Sequence, residues 1–228
     1  MTYNRYAVYF VPAPGPLADF GAAWLGWDVI TGKTVAPPDV PGLSLPWNEL
    51  TKTPRKYGLH ATIKPPFRLA PGMSADALLA ALEAHCKSLA PVTLDGLELA
   101  QLGRFLALVP QGDTTALRAL AATTVRTLDP FRAPPTEAEL NKRRASGLTP
   151  HQDALLQEWG YPYVMDQFRC HITLTDKLPK ACATQTRNAL DPHVTPLIPR
   201  PFFVDALCLA GEGDLGRFHL IHRFALSG

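Results

Sequence analysis

Two strings hold the residues of this chain best suited to chemistry: 57-YGLHATIKPPFRL-69 and 167-QFRCHITLT-175. Each carries a histidine followed two positions later by a threonine, in an apolar, β-branched setting that reads as a strand. Alternate side chains of a strand share a face. His60, Thr62 and Lys64 therefore line one face of the first strand, and Arg169, His171, Thr173 and Thr175 one face of the second. A neutral imidazole can take a proton from water, and an imidazolium can give one to a departing oxygen. Histidine is the side chain that titrates near neutrality unaided. A hydroxyl beside each imidazole can donate to a phosphate oxygen, and fixed donors aimed at developing charge are usually the largest catalytic contribution. Two such strands facing one cleft could open a phosphodiester with no metal and no cofactor.

The elements that must position these strands follow from periodicity and punctuation. Strands are predicted over 5–11, 57–64, 92–100, 104–110, 167–175, 202–210 and 217–226, and helices over 16–30, from Ser74 to before Pro91, over 114–128 and near 179–190. Thr136 with Glu139, and Thr149 with Pro150 and Gln152, predict two further helix starts. The order repeats. His60-Ala61-Thr62 is followed by a helix, then LDGLELA, then Gly103-Arg104-Phe105; His171-Ile172-Thr173 is followed by a helix, then VDALCLA, then Gly216-Arg217-Phe218. Histidine and aspartate are 35 positions apart in one copy (60 to 95) and 34 in the other (171 to 205). The chain therefore reads as one bilobal α+β domain over 1–228, with halves of roughly 1–130 and 131–228 about a pseudo-twofold axis. That arrangement allows strands to be exchanged between the lobes.

Several strings imitate function. His193-Val194-Thr195 is a third H-x-T, but prolines flank it and it is assigned to a loop. Gly211, Gly213 and Gly216 match a dinucleotide-binding glycine pattern, yet a strand pattern follows where a helix is required, so GEGDLG is a hairpin connection. Cys170 adjoins His171 but points to the other strand face, and the four cysteines contain no CxxC pair. Lys64 continues the histidine face and either binds phosphate or is solvated. Tyr57 packs or rims the cleft. Arg143 and Arg144 either close over a charged substrate or form a solvated helix face. Tyr161 and Tyr163 line the cleft or pack. His219 and His222 lie at opposite parity, so at most one faces the cleft.

Composition narrows the partners. With 22 Lys and Arg against 20 Asp and Glu, the net charge of +2 gives no strong field for nucleic acid or membrane. No apolar run approaches a membrane span, and the cysteine pattern suits a reducing compartment, so a cytoplasmic protein is expected. The oligomeric state is left open.

Paired H-x-T motifs on equivalent strands of a duplicated α+β chain resemble the 2H phosphoesterase superfamily, which includes RNA-ligase-like 2′,3′-cyclic phosphodiesterases. The strings YGLHATIKPPFRL, LLQEWGYPYV and QFRCHITLTDKL look more narrowly like a bacterial branch associated with phosphonate-degradation operons. The resemblance implies antiparallel sheets about a central cleft with helices outside, His60 and His171 as the catalytic pair, and Thr62 and Thr173 as phosphate-oxygen donors. It also implies a small cyclic phosphodiester as substrate, such as a ribosyl cyclic phosphate. An RNA-end phosphodiesterase or ligase, and a non-catalytic nucleotide- or phosphate-binding module, are the alternatives.

Overall fold

The structure, a computed structural model, describes residues 3–228. Its strands in chain order are β1 (Arg5–Phe10), β2 (Ala61–Phe67), β3 (Val92–Leu94), β4 (Gly96–Leu102), β5 (Phe105–Gln111), β6 (Ile172–Thr173), β7 (Phe202–Val204), β8 (Ala206–Glu212) and β9 (Phe218–Ala225). The helices are α1 (Pro16–Leu25), α2 (Trp47–Leu50), α3 (Ala75–Lys87), α4 (Thr115–Leu128), α5 (Glu137–Arg144), α6 (Pro150–Trp159) and α7 (Ala183–Val194). Seven strands form one antiparallel sheet in the order β4-β5-β6-β2-β1-β8-β9, and β3 and β7 pair as a separate ribbon.

The strand pairing carries the repeat. When the two copies are aligned by sequence, His60 matches His171 and Thr93 matches Phe203. Ala61 pairs with Ile172, its own counterpart, and Thr93 pairs with Phe203, its own counterpart. A local twofold axis therefore passes through both pairs. About it β2 exchanges with β6, β1 with β5 and β4 with β8, so the order reads the same from either side. The Gly-Arg-Phe repeat matches β9 to β5 in sequence, but β9 is instead an added strand at one edge, and β5 takes the place that mirrors β1. Because β4 and β5 lie on the β6 side of the axis, and β8 and β9 on the β2 side, each side of the sheet combines strands from both copies.

Helix limits follow local chemistry. Ser74 caps α3 by accepting from the Ala77 amide at 3.1 Å, and the expected Thr136 and Thr149 capping boxes open α5 and α6. The first helix is shorter than its apolar spacing suggests. Gly26 adopts a left-handed conformation (φ 66°), and Trp27 donates back to Ala22, which closes the last turn at Leu25. Inward faces of the helices (Trp24 and Leu25, Leu78 and Leu82, Leu117 and Leu120, Leu190 and Val194) pack with Val8, Ile63, Leu108 and Leu209 of the sheet. Trp24 also donates to the Leu174 carbonyl at 2.7 Å, which ties α1 to the chain just beyond the second H-x-T motif.

Four expectations change. The strand predicted over 57–64 is shifted to Ala61–Phe67. The strands predicted over 92–100 and 202–210 each break at their aspartate, Asp95 and Asp205, and the short leading pieces leave the main sheet to pair with each other. Of 167–175, only Ile172 and Thr173 join the ladder. The third H-x-T lies at the end of a helix and not in a loop, since α7 runs through Pro192 to Val194. GEGDLG does connect the β8–β9 hairpin. All four cysteines are free, and among the described residues no helix is long and apolar enough to cross a membrane.

Candidate active site

The twofold pair Ala61–Ile172 sets the centre of the site. One step to either side, antiparallel register places His60 across from Thr173 and Thr62 across from His171. Two adjoining cavities meet here. One, of about 300 Å³, is lined by His60, Thr62, Thr173, Tyr9, Tyr57 and Arg143. The other, of about 600 Å³, is lined by His171, Arg169, Arg118, Tyr161 and Tyr163. Thr62, Pro65 and Tyr161 border both.

Each imidazole is held in the same way. Nδ1 of His60 lies 2.9 Å from the Gly58 carbonyl, and Nδ1 of His171 lies 2.8 Å from the Arg169 carbonyl. A carbonyl can only accept, so Nδ1 is the protonated nitrogen in both rings, and Nε2 is left for chemistry. For His60 this arrangement needs glycine two residues back. Gly58 has φ 70°, and a Cβ there would sit 2.7 Å from Cβ of Val29. Nε2 of His60 is 3.2 Å from Oγ1 of Thr62, so in the neutral ring it accepts from that hydroxyl.

The two histidines have different surroundings. The His60 ring lies 4.0 Å from Tyr9 and 5.7 Å from Tyr57, and burial pushes its pKa down to about 4 against the Gly58 hydrogen bond, with nearby His171 lowering it further. His171 packs at 5.6 Å against Phe105. Across the ladder Tyr9 pairs with Thr62, whereas Ala107 pairs with Thr173, so the twofold counterpart of Tyr9 is an alanine. Tyr9 is fully buried, and its hydroxyl is the one buried side-chain oxygen or nitrogen among the described residues with no hydrogen-bond partner. Burial holds its pKa well above the usual phenol value, so it remains a neutral donor.

The other expected residues divide. Tyr57, Tyr161 and Tyr163 line the cavities, and the Arg143 guanidinium lies over the Tyr161 ring at 4.7 Å. Arg144 turns away and pairs with Asp153 at 2.6 Å. Lys64 is corrected outright. Register shifts between β1 and β2 put Lys64 opposite Val8, on the core side, while Thr62 stays opposite Tyr9. Lys64 is 1% exposed; it donates to Asp129 and to the Val125 carbonyl, both at 3.1 Å, and lines neither cavity. His219 sits against Trp27, away from both cavities. Cys170 borders the larger cavity, but burial pushes its thiol up to about 12, which makes it a poor nucleophile. Sequence reasoning missed Tyr9 and Arg5, on a strand that carries no motif, and assigned no role to Phe105, which it noted only as part of the Gly-Arg-Phe repeat. Among the described residues, no three or more of His, Cys, Asp and Glu converge as a metal-binding group.

Comparison with known proteins adds family and context. A protein named ribose 1,5-bisphosphate phosphokinase PhnN from Janthinobacterium sp. (strain Marseille) is 40% identical over 215 residues, covering 92% of this chain and 48% of that protein. A protein of the same name from Laribacter hongkongensis (strain HLHK9) is 36% identical over 182 residues, covering 76% of this chain and 40% of its own length. The chain thus spans about half the length, or less, of these relatives. Similar solved structures include one described as a phosphoesterase (TM-score 0.43, 17% identity) and E. coli LigT with NADP+ (TM-score 0.42, 16% identity), each aligned over 100% of both chains. Residues 62–219 match the family described as "Protein of unknown function (DUF1045)", and the chain belongs to that family.

Proposed function

We propose that this chain hydrolyses a small cyclic phosphodiester by two-histidine acid–base catalysis of the 2H phosphoesterase kind, without a metal. The observation that carries the reading is the matched pair of imidazoles, each fixed through Nδ1 to the carbonyl two residues back, about one axis. His60, kept neutral at pH 7 by burial, is the base. Its Nε2 takes the proton of a water whose oxygen forms the new P–O bond. The bond from phosphorus to the ring's ester oxygen breaks, and that oxygen takes the Nε2 proton of a protonated His171. The product is a phosphomonoester with a free hydroxyl, and solvent exchange returns the proton from His60 to His171. Thr62 and Thr173 donate to the non-bridging oxygens, for which Thr62 leaves His60. The buried Tyr9 hydroxyl donates to a substrate oxygen on the His60 side. General acid and base each supply roughly 10²–10⁴-fold.

The relatives' name suggests which ring. Opening a 1,2-cyclic phosphate of 5-phosphoribose at the C2 oxygen leaves ribose 1,5-bisphosphate, the compound in the name of both relatives. A place in phosphonate catabolism, beside such a kinase activity, fits this chemistry. The test is a panel of ribosyl 1,2-cyclic and nucleoside 2′,3′-cyclic phosphates, with and without chelator. Turnover that survives chelation and disappears in both His60→Ala and His171→Ala is expected. Chelator-sensitive turnover, or near-normal rates in either variant, refutes the mechanism, and no turnover of any cyclic phosphate favours a binding module.

A further inference from the structure

The cavity at His60 continues past Tyr57 and Arg143 into a recess of about 410 Å³. Six cationic side chains line this recess: Arg5, Lys56, Arg68, Arg132, Lys142 and Arg143. Three of them are neutralised locally. Arg5 makes a bidentate pair with Glu212, Arg68 pairs with Glu139, and Arg132 pairs with Asp129. Lys56, Lys142 and Arg143 make no ion pair among the described residues. Three unpaired positive charges line one recess, in a chain whose total is +2, and give that recess a local positive potential suited to an anion. Arg143 borders both the recess and the His60 cavity, with its guanidinium set on the face of Tyr161. That stacking limits the freedom of the side chain and leaves its donors for a phosphate.

From this arrangement we infer a second anion site, separate from the histidine pair, that takes a terminal phosphate on the same substrate. Arg143 is its hinge, with Lys142 and Lys56 supplying the remaining charge. The inference rests on the cyclic phosphodiester reading for the identity of the ligand, but the recess and its charge stand independently of it. The substrate class is then a sugar cyclic phosphate bearing a further phosphate monoester, which is held at one end while the ring is opened at the other. Binding energy at the remote phosphate would be used to orient the ring between the imidazoles.

Two measurements test this. Ribose 5-phosphate, titrated calorimetrically at 0.15 M salt, should bind the wild-type protein and lose about tenfold or more in affinity in Arg143→Met with Lys142→Met. Both side chains are exposed, so the fold should tolerate the change. Second, kcat/KM for ribose 1,2-cyclic phosphate should be about 10- to 100-fold higher with a 5-phosphate than without it. That ratio should narrow toward one in the double variant. Absent binding, or binding indifferent to the substitutions, overturns the second site. Equal hydrolysis of both substrates by the wild type overturns it too, while leaving the phosphodiesterase reading intact. Variant-sensitive binding without hydrolysis of any cyclic phosphate supports the site and removes the phosphodiesterase reading.

Discussion

Replacing Tyr9 with phenylalanine separates stability from catalysis in opposite directions. The ring is fully buried between His60 and Phe218, at 4.0 and 5.6 Å, and phenylalanine keeps that packing. Only the hydroxyl disappears, and in the free protein it has no partner. An unsatisfied buried polar group costs ~1–3 kcal/mol, so Tyr9→Phe should be more stable than wild type by about that amount. For a domain of this length each kcal/mol moves Tm by roughly 2–4 °C, which predicts a rise of roughly 2–12 °C. With substrate bound, the same hydroxyl donates to a charged ligand, an interaction of ~1.5–3 kcal/mol. The variant should therefore lose roughly 10–150-fold in kcat/KM. Because burial keeps the phenol protonated, the loss should be uniform across neutral pH.

The assays are thermal or urea unfolding and steady-state hydrolysis of the best cyclic phosphate. A stabilised variant with unchanged kcat/KM would show the hydroxyl to be an inert packing defect, and its proposed role would fall. A destabilised variant would show that the hydroxyl has a partner in the free protein, and the premise itself would be wrong. A ligand-dependent rise in Tm that is smaller in Tyr9→Phe than in wild type would place the hydrogen bond in the complex.

The histidine environments predict that log kcat/KM falls on the acid side with an apparent pKa near 4, as His60 protonates. An acid limb at the ordinary value of about 6.5 would reassign the base. The same shift governs stability. Since the folded pKa lies below the unfolded one, the unfolded chain binds the extra proton first, and stability falls as pH drops from about 6.5 to about 4. The loss is up to about 3 kcal/mol and should be abolished in His60→Gln. Asp129→Asn strips the carboxylate from both buried Lys64 and Arg132 and should cost about 3–5 kcal/mol in urea unfolding. Lys64→Met should cost less and retain kcat/KM; a large loss of turnover there would return Lys64 to the site.

Much of the site was legible because duplication writes it twice. One H-x-T is a common accident, as His193-Val194-Thr195 at the end of α7 shows, but two at the head of matching helix-and-strand strings define an axis. The same axis appears in the self-paired Ala61–Ile172 and Thr93–Phe203. Lys64 was misplaced because a period-two reading assumes an unbroken strand. The register shifts between the Tyr9–Thr62 and Val8–Lys64 pairs, and again across the following Pro65-Pro66, which cannot donate to a ladder. Arg143 and Arg144 could not be told apart, since neighbours on a helix point about 100° apart and only packing decides which one meets the cleft. Tyr9 was invisible for a deeper reason: nothing in RYAVYFV marks it, and its importance exists only through its cross-strand neighbour Thr62. Its counterpart, Ala107, carries the consequence. A perfect twofold would give the two imidazoles identical environments, and neither would be favoured as acid or base. Duplication supplies the pair, and the divergence of Tyr9 from Ala107 places a buried ring on His60 with no equivalent at His171, which under the proposed mechanism would give proton transfer a direction.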